Sequence, residues 1–209
     1  MTLRLGWTVP TALSPVELRE FAVTAEHLGY DHLSVPEHLV SSTPAYESLT
    51  LVAFLAAVTT RIELATAMTI LPHRPVVLAA KQAAQLAHLS GDRLRLGVAM
   101  GSDPAESAAL GTVPGTRAAL FEEQVHALRL LWTRPAADFA GEHVAFTGVT
   151  VTPGRAGCRS GWAAAPCAPE ADRARCAGSP PSPTVSPCPG CSPTASTAVP
   201  RSSTSCAPR

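Results

Sequence analysis

The chain is short of several things, and each shortage removes a class of explanation. No uninterrupted apolar run of roughly 18 residues occurs, which argues against a membrane-spanning helix. The opening Met1-Thr2-Leu3-Arg4 has no basic segment leading into an apolar one, so a cytoplasmic protein without a secretory leader is expected. The formal net charge is +0, without the basic excess of a nucleic-acid binder or a membrane-surface protein. Lysine is nearly missing too. Lys81 stands against 15 arginines, a usage that points to GC-rich coding.

Other absences are confined to one part of the 209 residues. The first 157 contain no cysteine; all six lie beyond, at Cys158, Cys167, Cys176, Cys188, Cys191 and Cys206. Histidine does the reverse, running from His27 to His143. The 56 residues after Pro153 hold no Leu, Ile, Phe or Met, and 51 of them are Ala, Arg, Cys, Gly, Pro, Ser or Thr. The neutral total is a cancellation of −4 before that point and +4 after it. Such a composition cannot bury enough apolar surface to offset chain entropy. Residues 154–209 are therefore expected to form a disordered Pro/Ser/Cys-rich tail.

The cysteines have three readings. A disulfide framework needs an oxidising compartment. A zinc or redox site needs better spacing than Cys188-Pro-Gly-Cys191, which has no second pair and no histidine nearby. No metal site is therefore expected. The third reading is a change of reading frame near Gly154. Moving each codon boundary one base earlier across Gly154–Ala164 permits Arg-Pro-Gly-Arg-Val-Pro-Val-Trp-Val-Gly-Gly. The same shift over Ser179–Val185 permits Ala-Ala-Val-Ala-Asp-Gly.

Residues 1–153 are regular. Leu3–Val9 reads as a strand, and Ser14-Pro15-Val16-Glu17 as an N-cap, a proline at N1 and a capping-box glutamate. Leu18, Phe21, Ala22, Ala25 and Leu28 follow at helical spacing and Gly29 closes the helix. Strands are then expected at His32–Val35, Ile62–Ile70 and Arg93–Ala99, with helices at Pro44–Thr59, Pro75–His88 and Thr116–Trp132. Asp138–Val151 reads as a β-hairpin turning at Thr147-Gly148. Strands alternating with helices at this spacing predict an α/β fold with a parallel sheet, either doubly wound or a (β/α)8 barrel. No G-x-G-x-x-G follows the first strand, which favours the barrel. In a barrel, chemistry gathers at the C-terminal strand ends. Those ends are Glu37-His38, Thr66–Thr69 and Gly101-Ser102-Asp103. His27, His88 and His126 read as structural.

Several segments, taken in order, carry a family resemblance. They include Ala25-Glu26-His27-Leu28-Gly29-Tyr30-Asp31, Val35-Pro36-Glu37-His38-Leu39, Tyr46-Glu47 and Thr60-Arg61-Ile62-Glu63-Leu64-Ala65-Thr66. Leu71-Pro72-His73-Arg74-Pro75, Leu86–Leu94, Leu96-Gly97-Val98, Glu106 and Leu110-Gly111 continue the series. Residues 1–153 resemble the N-terminal half of the luciferase-like flavin- and deazaflavin-dependent oxidoreductases, or monooxygenases. The resemblance implies half of a (β/α)8 TIM-type barrel with the hairpin as an insertion, and redox chemistry at a tricyclic ring on a small organic substrate. It sets His38 as the catalytic candidate. Glu37, His38, Ala67, Met68, Gly101 and Ser102 become candidate cofactor-binding residues.

Ala67-Met68 aligns with a non-prolyl cis peptide of such proteins, while Ala99 stands where they often have glycine. Tyr46-Glu47 and the Leu-Pro-His-Arg-Pro stretch are more similar to the deazaflavin subgroup, so coenzyme F-420 is favoured over FMN. The family's fifth strand and its phosphate-holding Gly-Gly resemble the shifted-frame string above, and are missing from the chain as written. Little or no activity is expected from it alone. The alternative is a non-enzymatic partial barrel that self-associates through an exposed sheet edge. Sequencing the gene across the codons for Pro153–Ala164 tests the frame reading. The shifted string is expected in the alternative frame, and its absence there refutes the idea.

Overall fold

The computed structural model describes residues 3–113 and 115–153. The expected tail, with all six cysteines, lies outside the described residues. The elements follow in chain order: β1 Gly6–Thr8, α1 Pro15–His27, β2 His32–Val35, α2 Ser48–Val58, β3 Glu63–Thr66 and β4 Thr69–Ile70. After a single 3-10 turn, Leu71–His73, come α3 Val76–Leu89, β5 Leu94–Arg95, β6 Val98–Ala99, α4 Pro104–Ala109, α5 Arg117–Thr133, β7 Ala137–Ala140 and β8 Ala145–Val149.

Four strands pair in parallel in the order β1-β2-β3-β5, so each crossover carries a helix. The register sets Leu33 beside Leu64 and Leu64 beside Leu94. These leucines are buried, as are Val35 and Ile62, and they form one core with Leu18 of α1, Leu55 of α2, Ala83 of α3 and Leu131 of α5. α1 begins as its sequence predicts. The Ser14 hydroxyl accepts from the Glu17 amide, and the Glu17 carboxylate accepts from the Ser14 amide at 2.8 Å. Gly29 ends it at φ +86°, a conformation that side chains other than glycine rarely adopt.

The opposite face of the sheet is different. β2 and β3 alternate buried with half-buried residues. His32, Glu63 and Arg95 lie on that second face, where Glu63 binds Arg4 and Arg95 at 2.8 Å each. These side chains share an open pocket with Ala65, Thr66, Leu96 and Gly97.

Four expectations change. The second helix starts at Ser48 rather than Pro44, because the Glu47 carboxylate caps it by accepting from the Leu49 and Thr50 amides. The third and fourth strands each break into two, β3/β4 and β5/β6. At the break the Thr66 hydroxyl donates to the Gly97 carbonyl (2.8 Å) and accepts from its amide (3.0 Å). The stretch after the fourth strand holds a short helix, α4, capped by Asp103. The hairpin turns at Gly141–Val144, not at Thr147-Gly148. Glu123 of α5 holds that turn by accepting from the amides of Glu142, His143 and Val144, all at 2.9 Å. Gly148 instead sits inside β8 at φ +65°.

Leu64→Ala is expected to destabilise the chain by about 2–5 kcal/mol, since a fully buried leucine leaves a cavity behind. Leu3→Ala, at an 81% exposed position, should change stability by less than about 0.5 kcal/mol. Urea unfolding of the two variants checks both.

Candidate functional site at the C-terminal ends of the strands

Parallel pairing brings the segments after β2, β3 and β6 to one end of the sheet. The sequence candidates gather there, and they divide into an interior group and an exposed group.

Glu37 is the interior member. Its carboxylate accepts five hydrogen bonds: from the Ser48 amide (3.3 Å) and hydroxyl (2.6 Å), the Ile70 amide (2.7 Å), and Arg74 Nη1 (2.8 Å) and Nη2 (2.6 Å). Its side chain is fully buried, and these partners leave little capacity for a ligand. Arg74 also reaches Glu47 at 2.5 Å and the Ile70 carbonyl at 3.0 Å. Burial works against the Arg74 charge, but Glu37 and Glu47 outweigh it and hold the guanidinium above its ordinary value. Burial would likewise raise Glu47. Hydrogen bonds from Thr50 and Leu49, with the Arg74 charge, hold it below the usual carboxylate range. The cluster ties the end of β2 to the start of α2 and to β4.

His38, Ala67, Met68 and Ser102 are the exposed members, with Gly101 half-buried beside them. The Ala67-Met68 peptide is cis, and the Ala67 amide donates to the Val35 carbonyl at 2.7 Å. Gly101 has φ +75°, and a Cβ there would lie 2.7 Å from Ile70 Cγ2, so glycine is required on both counts. Its carbonyl accepts from Arg117 Nη1 at 3.0 Å. The loop carrying His38 is held by Glu106 of α4, whose carboxylate accepts from the Leu39 amide at 2.5 Å and the Val40 amide at 3.0 Å.

Sequence reading passed over the roles of Arg74, Ser48 and Glu106. Asp103-Pro104-Ala105-Glu106 is a helix-start signature, and it was available to show that Glu106 belongs to a helix. The pairing of Arg74 with Glu37 spans 37 residues and has no local sign. Among the described residues no group of three or more His, Cys, Asp or Glu could hold a metal ion, and no helix is long and apolar enough to cross a membrane.

With a parallel sheet whose strands alternate with helices and polar residues at the strand ends, the class is an α/β fold. The chain belongs to the luciferase-like monooxygenase family, whose model matches residues 3–174. It is similar to pyrimidine monooxygenase RutA of Bradyrhizobium, 31% identical over 147 residues that cover 68% of this chain and 37% of the relative. Among solved structures, it resembles an F420-dependent secondary alcohol dehydrogenase in complex with an F420-acetone adduct (TM-score 0.65, 20% identity, 73% of this chain and 49% of that one). It also resembles the oxygenating constituent of 3,6-diketocamphane monooxygenase of Pseudomonas putida in complex with FMN (TM-score 0.61, 21% identity, 70% and 44%). The chain spans about a third to a half of the length of the proteins it matches.

Two variants test the interior cluster. Arg74→Met leaves Glu37 buried without its cation and should cost about 3–5 kcal/mol. Glu47 has a depressed folded pKa, so its stabilisation is complete above the unfolded carboxylate value and is lost as pH falls through the folded one. Glu47→Gln should therefore flatten the acid limb of a Tm-versus-pH curve. An unchanged limb would show that Glu47 contributes nothing to it.

Proposed function

We propose that this chain supplies the N-terminal half of a (β/α)8 barrel, in an oxidoreductase that uses a flavin-type cofactor on a small organic substrate. The observation that carries the reading is the gathering of His38, Ala67-Met68 and Gly101-Ser102 at one end of the parallel sheet. The exposed patch suits a flat ring. Met68 offers apolar surface at 39% exposure, and the Gly101 turn brings backbone close where no side chain would fit.

When bound, such a cofactor supplies hydride or oxygen chemistry, and the protein supplies position and electrostatics. His38 is exposed at the strand end and can donate to a ring atom or hold a proton there. Met68 and the Gly101-Ser102 turn would flank the ring. Glu37 acts from behind: through Arg74 and the Ile70 amide it fixes the segment after Met68 rather than touching the ring itself. Coenzyme F-420 is favoured over FMN on the resemblance of Tyr46-Glu47 and Leu71–Pro75. Activity of the chain by itself is expected to be slight, because the phosphate-holding Gly-Gly of the family is missing from its sequence.

A second reading rests on the outer sheet edges. β1 and β5 each have one side unpaired among the described residues; Trp7 in β1 is 41% exposed, and Leu3 and Leu5 just before it are 81% and 55% exposed. An edge of that kind favours self-association over catalysis.

Fluorescence titration with coenzyme F-420 and with FMN tests the first reading. F-420 should bind weakly but better than FMN, and His38→Ala should weaken it further. Micromolar binding by the chain alone would overturn the incomplete-site reading, and an indifferent His38→Ala would remove His38 from the site. Size-exclusion chromatography addresses the second reading: a cofactor-free oligomer supports it, and a monomer refutes it.

A further inference from the structure

The second face of the parallel sheet carries a feature that the candidate cofactor site does not use. Alternation in β2 and β3 turns Leu33, Val35 and Leu64 into the core and sets His32, Glu63 and Ala65 on the other side. There they line an open pocket of about 330 Å3, together with Arg4, Arg95 and Gly97. His32 and Glu63 open their strands, so this pocket lies toward the N-terminal strand ends, away from His38 and Met68.

The pocket has a small centre and a charged rim. Ala65 offers one methyl group and Gly97 no side chain, so the middle of the face is a hollow. On the rim, one carboxylate serves two guanidinium groups. Glu63 Oε2 accepts from Arg4 Nη2 and Arg95 Nε at 2.8 Å each, and Oε1 accepts from Arg95 Nη2 at 2.8 Å. Asp31 stands 4.0 Å from Arg4 Nε, but it lies outside the pocket, and its Oδ2 accepts from the Leu5 amide at 2.7 Å. Arg95 has Glu63 alone. The side chains lining the pocket therefore carry one positive charge in excess.

Water screens this rim, since the Arg4, Arg95 and Glu63 side chains are 50%, 43% and 27% exposed. The interior of a closed (β/α)8 barrel is a packed core with no such water. Whatever closes over the face must then fill the hollow. It must also meet the excess charge, because an uncompensated charge taken out of water is costly.

We propose that this face docks a second half-barrel that is complementary to it rather than identical, with bulky apolar side chains for the Ala65–Gly97 hollow and a carboxylate for the Arg4–Arg95 rim. The proposal rests on the half-barrel reading above, and on a chain that spans a third to a half of the proteins it matches. A second copy meets neither demand. Two copies joined edge to edge with parallel strands set hollow against hollow, which leaves a void. They also bring a second excess positive charge into the same space. The rim thus selects its partner by rejecting its own kind.

The test titrates the full chain with the separately expressed C-terminal half of a luciferase-like monooxygenase. That half is made in three forms, with aspartate, asparagine or arginine at one inward position near the N-terminal ends of its strands. The aspartate form should bind at least about tenfold more tightly than the asparagine form, and the arginine form more weakly still. Ala65→Trp fills the hollow and should weaken all three at least about tenfold. Arg95→Met removes the excess charge and should erase the preference for aspartate, and it carries the test should Ala65→Trp fail to fold. The full chain alone should sediment as a monomer at the same concentrations. Equal binding of the three forms overturns the proposal and leaves the half-barrel reading standing, whereas binding of none overturns both. A dimer of the full chain that Ala65→Trp abolishes also overturns the proposal.

Discussion

The carboxylate of Glu37 and the guanidinium of Arg74 form the contact on which the upper half of the sheet depends. An ion pair removed from water stabilises little by Coulomb attraction alone, since desolvation opposes it. Here the remaining lone pairs and protons are also used. Ser48 and the Ile70 amide complete the Glu37 carboxylate, while Glu47 and the Ile70 carbonyl complete Arg74. Because those partners come from the end of β2, the start of α2, β4 and the turn before α3, one cluster fixes the relative position of four segments. Its value is therefore geometric more than energetic. The exposed residues at the strand ends keep their places because the layer beneath them is tied.

Most of the fold was legible because its signals are local. Ser14, Pro15 and Glu17 announce α1, and Gly29 marks its end. The 3.6-residue pattern from Val76 to Leu89 gives α3, and the alternation of strand and helix gives the parallel sheet. What failed to show was the interruption of two strands, since Ile62–Ile70 and Arg93–Ala99 look continuous as apolar runs. At the break a hydroxyl at Thr66 meets the backbone of Gly97, 31 residues later, and no local pattern announces that contact. The hairpin turn was misplaced for a similar reason. Thr147-Gly148 has turn chemistry, but the turn forms where Glu123 gathers three amides about twenty residues downstream. Local composition proposes turns, and distant partners choose among them.

The candidate site shows the same division. That Glu37 and His38 follow a strand could be read directly, and so could the Gly101 turn. That adjacent residues would have opposite fates, Glu37 wholly interior and His38 exposed, depends on Arg74 and Ser48, and neither stands near them in sequence. The charged face of the sheet was not foreseen either. Glu63 between Arg4 and Arg95 gives that face ion pairs exposed enough to be screened by salt. Such pairs contribute modestly to stability.

Glu106 has an effect that extends past its own two hydrogen bonds. By gripping the amides of Leu39 and Val40, it joins the loop after β2 to α4, an element that follows β6. Two strand ends are thereby immobilised together while the chain folds, before any ligand arrives. The ordering entropy of the His38 loop is charged to folding, so a ligand meeting that surface encounters a preorganised one and keeps more of its contact energy as affinity.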